Sequence, residues 1–194
     1  MSYQQKNYDY LLGIEGLSDE LLNAHFTLYQ GYVKNVNSFL GATQKMIEED
    51  DIIPIYFSEL KRRLGWEWNG MRLHELYFGN MAKGGNELAK NSELYKKIIK
   101  DFGSYENWEK EFKAIGVMRG IGWVILYYDK EADKLMNVWI GEHDSGHLAG
   151  CVPLLVTDVF EHAYMLDYGI ARADYVEIFK NIIDWSVVAE RYSD

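Results

Sequence analysis

Five histidines, His25, His74, His143, His147 and His162, and the nearby carboxylates Asp158 and Glu161 are the residues of this 194-residue chain whose types can do chemistry together. Only His143 and His147 are close in sequence; the other three are scattered, yet each sits in an apolar or aromatic segment. A lone histidine on an apolar stripe is ordinarily a satisfied core residue. Two facing helices that each present one are a different case, because a bundle core is where metal ligands are commonly built. Asp158 stands beside Leu155, Val156 and Phe160, and burying a carboxylate there is costly without a cation or hydrogen-bond donors. An aspartate and a histidine close together, with two remote histidines, make a mixed nitrogen and oxygen ligand set that suits iron or manganese at least as well as zinc. On spacing alone Glu161 competes with Asp158 for the carboxylate role.

The elements that must position these residues follow from periodicity. Ser18 reads as an N-cap, and Leu22, His25, Tyr29, Tyr32, Val36 and Phe39 then fall at spacings of three and four, one stripe of a helix running to about Glu48. A second helix is expected from Pro54, with Phe57, Leu60, Leu64, Trp68, Met71, His74, Phe78 and Met81 as its stripe and Gly65 and Gly70 weakening its middle. Acidic residues from Glu48 to Asp51 make the turn, so the first half is a helical hairpin with a histidine on each apolar stripe. Lys83 to Asn86 reads as a linker, after which the chain is expected to stay helical to Lys100. Another helix follows from the Ser104 cap to about Met118. The period then changes: Trp123–Tyr128 and Leu135–Ile140 are β-prone runs joined by a hairpin loop at Asp129–Asp133, and Pro153–Thr157 is a third strand. Arg172 to Tyr192 returns to helical spacing. The fold class is α+β, with an N-terminal helical-hairpin domain at residues 1–83 and a C-terminal α/β domain carrying a small antiparallel sheet at 84–194.

Composition narrows the function. Thirty acidic against 20 basic residues, a net charge of -10, argue against nucleic acid, whose phosphates need a basic footprint. The single cysteine, Cys151, excludes an intrachain disulfide framework and a cysteine zinc site. The start Met1-Ser2-Tyr3-Gln4-Gln5 lacks the pattern of a signal peptide, and no apolar run reaches membrane-spanning length, so a cytoplasmic protein without membrane or nucleic-acid partners is expected.

The segment Asp158-Val159-Phe160-Glu161-His162-Ala163-Tyr164, followed by Asp167-Tyr168, Arg172 and Asp174-Tyr175, resembles the C-terminal signature of the iron/manganese superoxide dismutases. Gly120-Ile121-Gly122-Trp123 resembles that family's turn into its sheet, His74-Glu75-Leu76-Tyr77-Phe78 the segment with its second metal histidine, and His25 with Tyr32-Val33-Lys34-Asn35 its first-helix motif. The resemblance implies a helical hairpin followed by an α/β domain with a three-stranded antiparallel sheet. It also implies one iron or manganese ion per subunit held by His25, His74, Asp158 and His162, with superoxide as substrate. Tyr32 would stand at the substrate channel and Trp123 in the pocket wall. Glu161 would reach the partner subunit's His162 across a homodimer, or a tetramer built from such dimers.

Departures from the family pattern localise what is particular to this chain. His25 and Tyr32 are seven residues apart, one step fewer than the pattern. His143, in Glu142-His143-Asp144, replaces the usual glutamine that bonds to metal-bound solvent, which points to iron over manganese. Phe78 and Phe160 replace two tryptophans, Tyr29 replaces the channel histidine, and Met165 the tyrosine that it meets across the dimer. Arg172 and Lys34 are the candidate sources of local positive charge for steering an anion; Lys34 equally reads as a solvated helix face. His147 reads as a loop histidine and Cys151 as a small buried residue. Two rivals stand beside a dismutase: a mononuclear metal enzyme of other oxygen chemistry, which needs a roomy pocket, and a metal-free helical interaction module with core histidines.

Overall fold

In a computed structural model, residues 2–193 are described, and Met1, part of the N-terminal stretch read above, lies outside them. The first half is the expected hairpin. Helix α1 (Asp19–Glu48) starts where the Ser18 hydroxyl accepts the Leu21 amide, with Asp19 and Glu20 in the positive first turn. Helix α2 (Pro54–Gly79) starts on Pro54, where the missing N–H costs nothing. Despite Gly65 and Gly70 it runs unbroken, and Gly70 has a reason: a Cβ there would lie 2.7 Å from the Tyr32 ring of α1. The buried part of α2 begins only at Glu67; Phe57, Leu60, Leu64 and Trp68 are half-buried.

Residues 80–92 are not helical, contrary to the expectation of helix through to Lys100. Gly84 and Gly85 take φ of 74° and 53°, which glycine alone adopts without strain. The backbone here bonds across the fold instead of along itself: the Ala82 amide donates to Ile182 O at 2.9 Å and the Asn86 amide to Ile183 O at 3.0 Å. Helix α3 is therefore short (Glu93–Phe102), followed by α4 (Tyr105–Gly116) on its Ser104 cap. The same pairing breaks the C-terminal helical segment. A four-residue helix α5 (Met165–Tyr168) ends at Gly169, whose φ is 54°, and α6 (Arg172–Phe179) and α7 (Trp185–Ser193) are separate because Ile183 is extended and bridges Met81.

The three strands β1 (Gly122–Asp129), β2 (Lys134–Gly141) and β3 (Val152–Asp158) form an antiparallel sheet in the order β2-β1-β3. Central β1 is buried from Gly122 to Tyr127, as expected for a strand covered on both faces. Register sets Trp123 directly opposite Asp158 on one face. Leu154 is the extra residue of a bulge on β3, so the alternation of β1 is undisturbed and Trp123, Ile125 and Tyr127 share a face.

One side chain ties the hairpin to the sheet. Fully buried Asn80, just past α2, donates to Tyr77 O at 2.8 Å and Val156 O at 3.2 Å, and accepts from the Val156 amide at 2.9 Å and from Arg191 at 3.2 Å. Asn80→Ala leaves the buried Val156 amide and carbonyl without the side chain's amide group, while Tyr77 O keeps only the residue 80 backbone amide at 3.2 Å. The substitution is expected to destabilise the fold by about 3 kcal/mol, read as a lower denaturant midpoint with an unchanged slope.

Candidate metal centre

Four side chains from four elements converge. His25 lies in the second turn of α1, His74 near the end of α2, Asp158 at the last position of β3, and His162 in the 3-10 turn Glu161–Ala163 that follows. Their ligand atoms all lie within 4.8 Å of one another. The Nε2 atoms of His25 and His162 stand 3.2 Å from Asp158 Oδ2, and that of His74 stands 3.6 Å away. Exposed Glu161 is not part of the group, so the carboxylate that joins the three imidazoles is Asp158.

Asp158 is held from behind. Its Oδ1 accepts the Phe160 amide at 2.8 Å, and its carbonyl accepts the Tyr175 hydroxyl at 2.8 Å. Since that hydroxyl has one proton, the Tyr77 hydroxyl donates to it in turn at 3.0 Å. Burial pushes the Asp158 carboxyl up, but His162 and His25 outweigh it and hold the group well below the usual carboxylate range. Burial lowers the pKa of His25, and lowers that of His74 further, so both rings are neutral.

The residues fit a cation. His74 Nδ1 faces the Gly70 carbonyl at 2.5 Å, which can only accept, so Nδ1 carries the proton and Nε2 a bare lone pair. That lone pair, fully buried and without a hydrogen-bond partner among the described residues, faces a carboxylate oxygen. Two lone pairs that face each other in a dry pocket repel, and a positive ion between them removes the repulsion.

Aromatic rings close the site. Phe78 lies edge-on to His25 at 4.9 Å, Trp123 edge-on to His74 at 5.0 Å, Phe160 stacks on His162 at 5.1 Å, and Tyr32 stacks on His74 at 5.2 Å. In a regular helix seven residues are close to two full turns, so the short His25–Tyr32 spacing puts both on one face without a bulge. The Tyr32 hydroxyl meets His143 Nε2 at 2.8 Å, and Trp123 Nε1 donates to His143 Nδ1 at 3.0 Å. An indole only donates, so Nδ1 of His143 is bare. Burial lowers the pKa of the ring to about 4; being neutral, it carries its proton on Nε2 and donates it to Tyr32.

The remaining predicted residues fall in varied places. Tyr29 is buried and donates to Glu75 at 3.0 Å while accepting the Lys6 amide at 3.0 Å. Met165 is exposed. The Arg172 guanidinium donates to Tyr164 Oη, Met118 O and Gly120 O, fixing the turn into β1. Lys34 is on an exposed helix face. Cys151 is half-buried and free, with its thiol pKa pushed up by burial. Two residues escaped the sequence reading. Trp66 lies 4.4 Å from the His143 ring and 5.6 Å from Tyr32, with the Arg63 guanidinium 3.6 Å above it. The steps of four from Trp66 through Gly70 to His74 were its signal. His147, far from idle, makes two hydrogen bonds.

A histidine kept neutral by burial gives the fold a signed pH dependence. Below pH about 6.5 the unfolded chain takes up a proton that the folded His143 refuses until about pH 4, so stability falls as pH falls through that window. In the metal-free protein, His143→Gln is expected to reduce the slope of unfolding free energy against pH there by about 1.4 kcal/mol per pH unit, measured by denaturant titration at several pH values.

Comparison with known proteins agrees with this geometry. A family profile described as iron/manganese superoxide dismutases, C-terminal domain, matches residues 90–191. A manganese superoxide dismutase of Haloarcula marismortui is 38% identical over 190 residues, covering 95% of this chain and 90% of the relative. An iron superoxide dismutase of Cupriavidus metallidurans is 37% identical over 184 residues, 93% of this chain and 90% of the relative. One of Saccharolobus solfataricus, also an iron enzyme by name, is 32% identical over 179 residues, 90% and 85% respectively. With a profile over half of the chain and relatives along nearly all of it, the chain belongs to the iron/manganese superoxide dismutase family.

Proposed function

We propose that His25, His74, Asp158 and His162 hold one iron or manganese ion per chain, iron preferred, and that the family's dismutation of superoxide runs at this centre. The helical hairpin, residues 1–83, and the sheet-bearing part, 84–194, then contribute two ligands each. The observation that carries the reading is the convergence of three imidazole nitrogens on Asp158 Oδ2, with the bare lone pair of His74 among them. The redox ion supplies a one-electron couple, which oxidises one superoxide to dioxygen and reduces a second, with two protons, to hydrogen peroxide; zinc lacks that couple. The preference for iron is supported by His143 standing in the glutamine position.

The chain's own residues set charge, access and protons. One carboxylate and three neutral imidazoles leave a modest net charge on the centre, compatible with two oxidation states. Tyr32 accepts from His143 Nε2, so its own O–H is free to point into the pocket and donate. Burial and the nearby Asp158 charge raise the Tyr32 pKa, which keeps the phenol protonated through the physiological range. Phe78, Trp123 and Phe160 pack directly against His25, His74 and His143, and such dense aromatic cover counts against the roomy pocket that other oxygen chemistry on an organic substrate needs. With a net charge of -10 the whole-molecule field repels superoxide, so attraction must be local. Arg63, above Trp66, bears electrostatically on both Tyr32 and His143 and joins Arg172 and Lys34 as a candidate.

Half-buried His162 and exposed Glu161, Met165 and Leu166 support a homodimer in which Glu161 reaches the partner subunit's His162. The cytoplasm is the compartment we assign, supported by the lone cysteine; among the described residues no helix is long and apolar enough to cross a membrane.

The test is superoxide decay normalised to bound iron and manganese. Rapid loss that scales with one metal is expected; full occupancy without dismutation overturns the reading. Tyr32→Phe is expected to slow turnover at saturating superoxide roughly tenfold, less than the ~100-fold typical of a sole proton donor because solvent also delivers protons, and to leave metal content unchanged.

A further inference from the structure

His143 does its work from the tip of a tight turn. Gly141 and Ser145 exchange backbone hydrogen bonds at 2.8 and 3.1 Å, and Glu142 sits at φ 50° and Gly146 at φ 103°. The fully buried imidazole thus hangs from a short loop outside the sheet; the Glu142 amide donates to Ile121 O at 3.0 Å, which ties the loop's start beside β1, and the His143 main chain itself needs a tie of its own. Trp123 grips only the ring, at Nδ1.

The second grip comes from His147. Its Nε2 lies 2.8 Å from the His143 carbonyl oxygen, and its Nδ1 lies 2.7 Å from the Tyr127 hydroxyl. A carbonyl only accepts, so His147 Nε2 carries a proton and donates it. In the neutral ring Nδ1 is then the acceptor, and the buried Tyr127 hydroxyl donates to it. Trp123 and Tyr127 lie four residues apart on one face of β1. The strand therefore holds His143 at two points, the ring directly and the main chain through His147.

We infer that His147 is a positioning residue for the dismutation reaction, which holds the His143 main chain on β1 so that His143 Nε2 stays in line with the Tyr32 hydroxyl. The inference rests on the assignment above of the His143–Tyr32 pair to the proton path. His147 touches neither the four metal-site residues nor Tyr32; what it sets is the orientation of the loop that carries their neighbour. Partners that contact a metal ligand directly are commonly worth ~10- to 100-fold in affinity or activity. One link further out, the expected effect is about three- to tenfold.

The experiment compares His147→Phe, which removes both bonds, His147→Gln, whose amide donates to the His143 carbonyl and accepts from Tyr127, and Tyr127→Phe, which removes one end. The first readout is side-chain nitrogen NMR of histidine-labelled, zinc-loaded protein, a diamagnetic form that needs no dismutation. The wild-type protein is expected to show His143 with a bare Nδ1 and a protonated Nε2. His147→Phe should shift or broaden those signals, Tyr127→Phe should do so less, and His147→Gln should restore them. The second readout is turnover per bound redox metal: His147→Phe is expected to lower kcat about three- to tenfold with kcat/KM nearly unchanged, and His147→Gln to recover it to within about twofold. Wild-type His143 signals in His147→Phe overturn the inference. So does a fall in thermal midpoint with kcat per metal unchanged, since that marks a purely structural residue. If His147→Phe does not fold, Tyr127→Phe against His147→Gln decides by the same signals. An inactive wild-type protein refutes the proposed function and leaves the NMR comparison standing.

Discussion

A fully buried carboxylate loses its hydration, and the fold must replace it or the group takes up a proton. Asp158 is that group here, and much of the architecture can be traced to it. One oxygen takes a backbone amide from Phe160, while the other is surrounded by three imidazole nitrogens. Its main-chain carbonyl anchors the hydroxyl chain from Tyr175 to Tyr77, which runs back into α2. The strand end, the 3-10 turn and both long helices thus meet at one charge. Among the four groups, His25 Nδ1 and His74 Nε2 are buried without a hydrogen-bond partner, and the latter is a bare lone pair that faces the carboxylate, an arrangement a positive ion would relieve.

Legibility from the sequence followed the physics of each feature. That some histidines and a carboxylate form a candidate cluster was legible, because few residue types bind such ions and an aspartate in an apolar run is costly without a partner; the particular set of four came from the family resemblance. Spacing did not separate Asp158 from Glu161. Strand register does: Asp158 is the β3 residue opposite Trp123, whereas Glu161 lies in the turn beyond and faces out. The hairpin and the three strands were legible because their apolar periods are strong and their turns are polar. The connection at 80–92 was not, because its hydrogen-bond partners lie some 100 residues later, at 182–183, and no local pattern records them. His147 was hidden differently: its partners are the His143 carbonyl in its own loop and the Tyr127 phenol on β1, and spacing alone records neither bond. Trp66 was missed for a different reason, since the stripe chosen for α2 ran through Trp68, about 160° of helix rotation away from the step-of-four row that faces Tyr32.

Gly65 and Gly70 look alike in sequence as weak points of α2, yet only one has work to do. Nothing approaches the position of a Cβ at Gly65, whereas at Gly70 the space belongs to the Tyr32 ring. The Gly70 carbonyl also fixes the proton of His74. One residue without a side chain thereby sets both where the phenol lies and which nitrogen of the adjacent ring is bare.

His25 and Asp158 are 133 residues apart. Synthesis runs from the N-terminus, so the hairpin with His25 and His74 leaves the ribosome well before the strand and turn that carry Asp158 and His162. During that interval the emerging chain presents two neutral imidazoles and lacks the buried negative charge, a weak trap for a cation. The cluster is therefore completed only when the final strand is in register with β1. A copy that stops short of the last strand offers only the two hairpin imidazoles, so a complete cluster marks a complete fold.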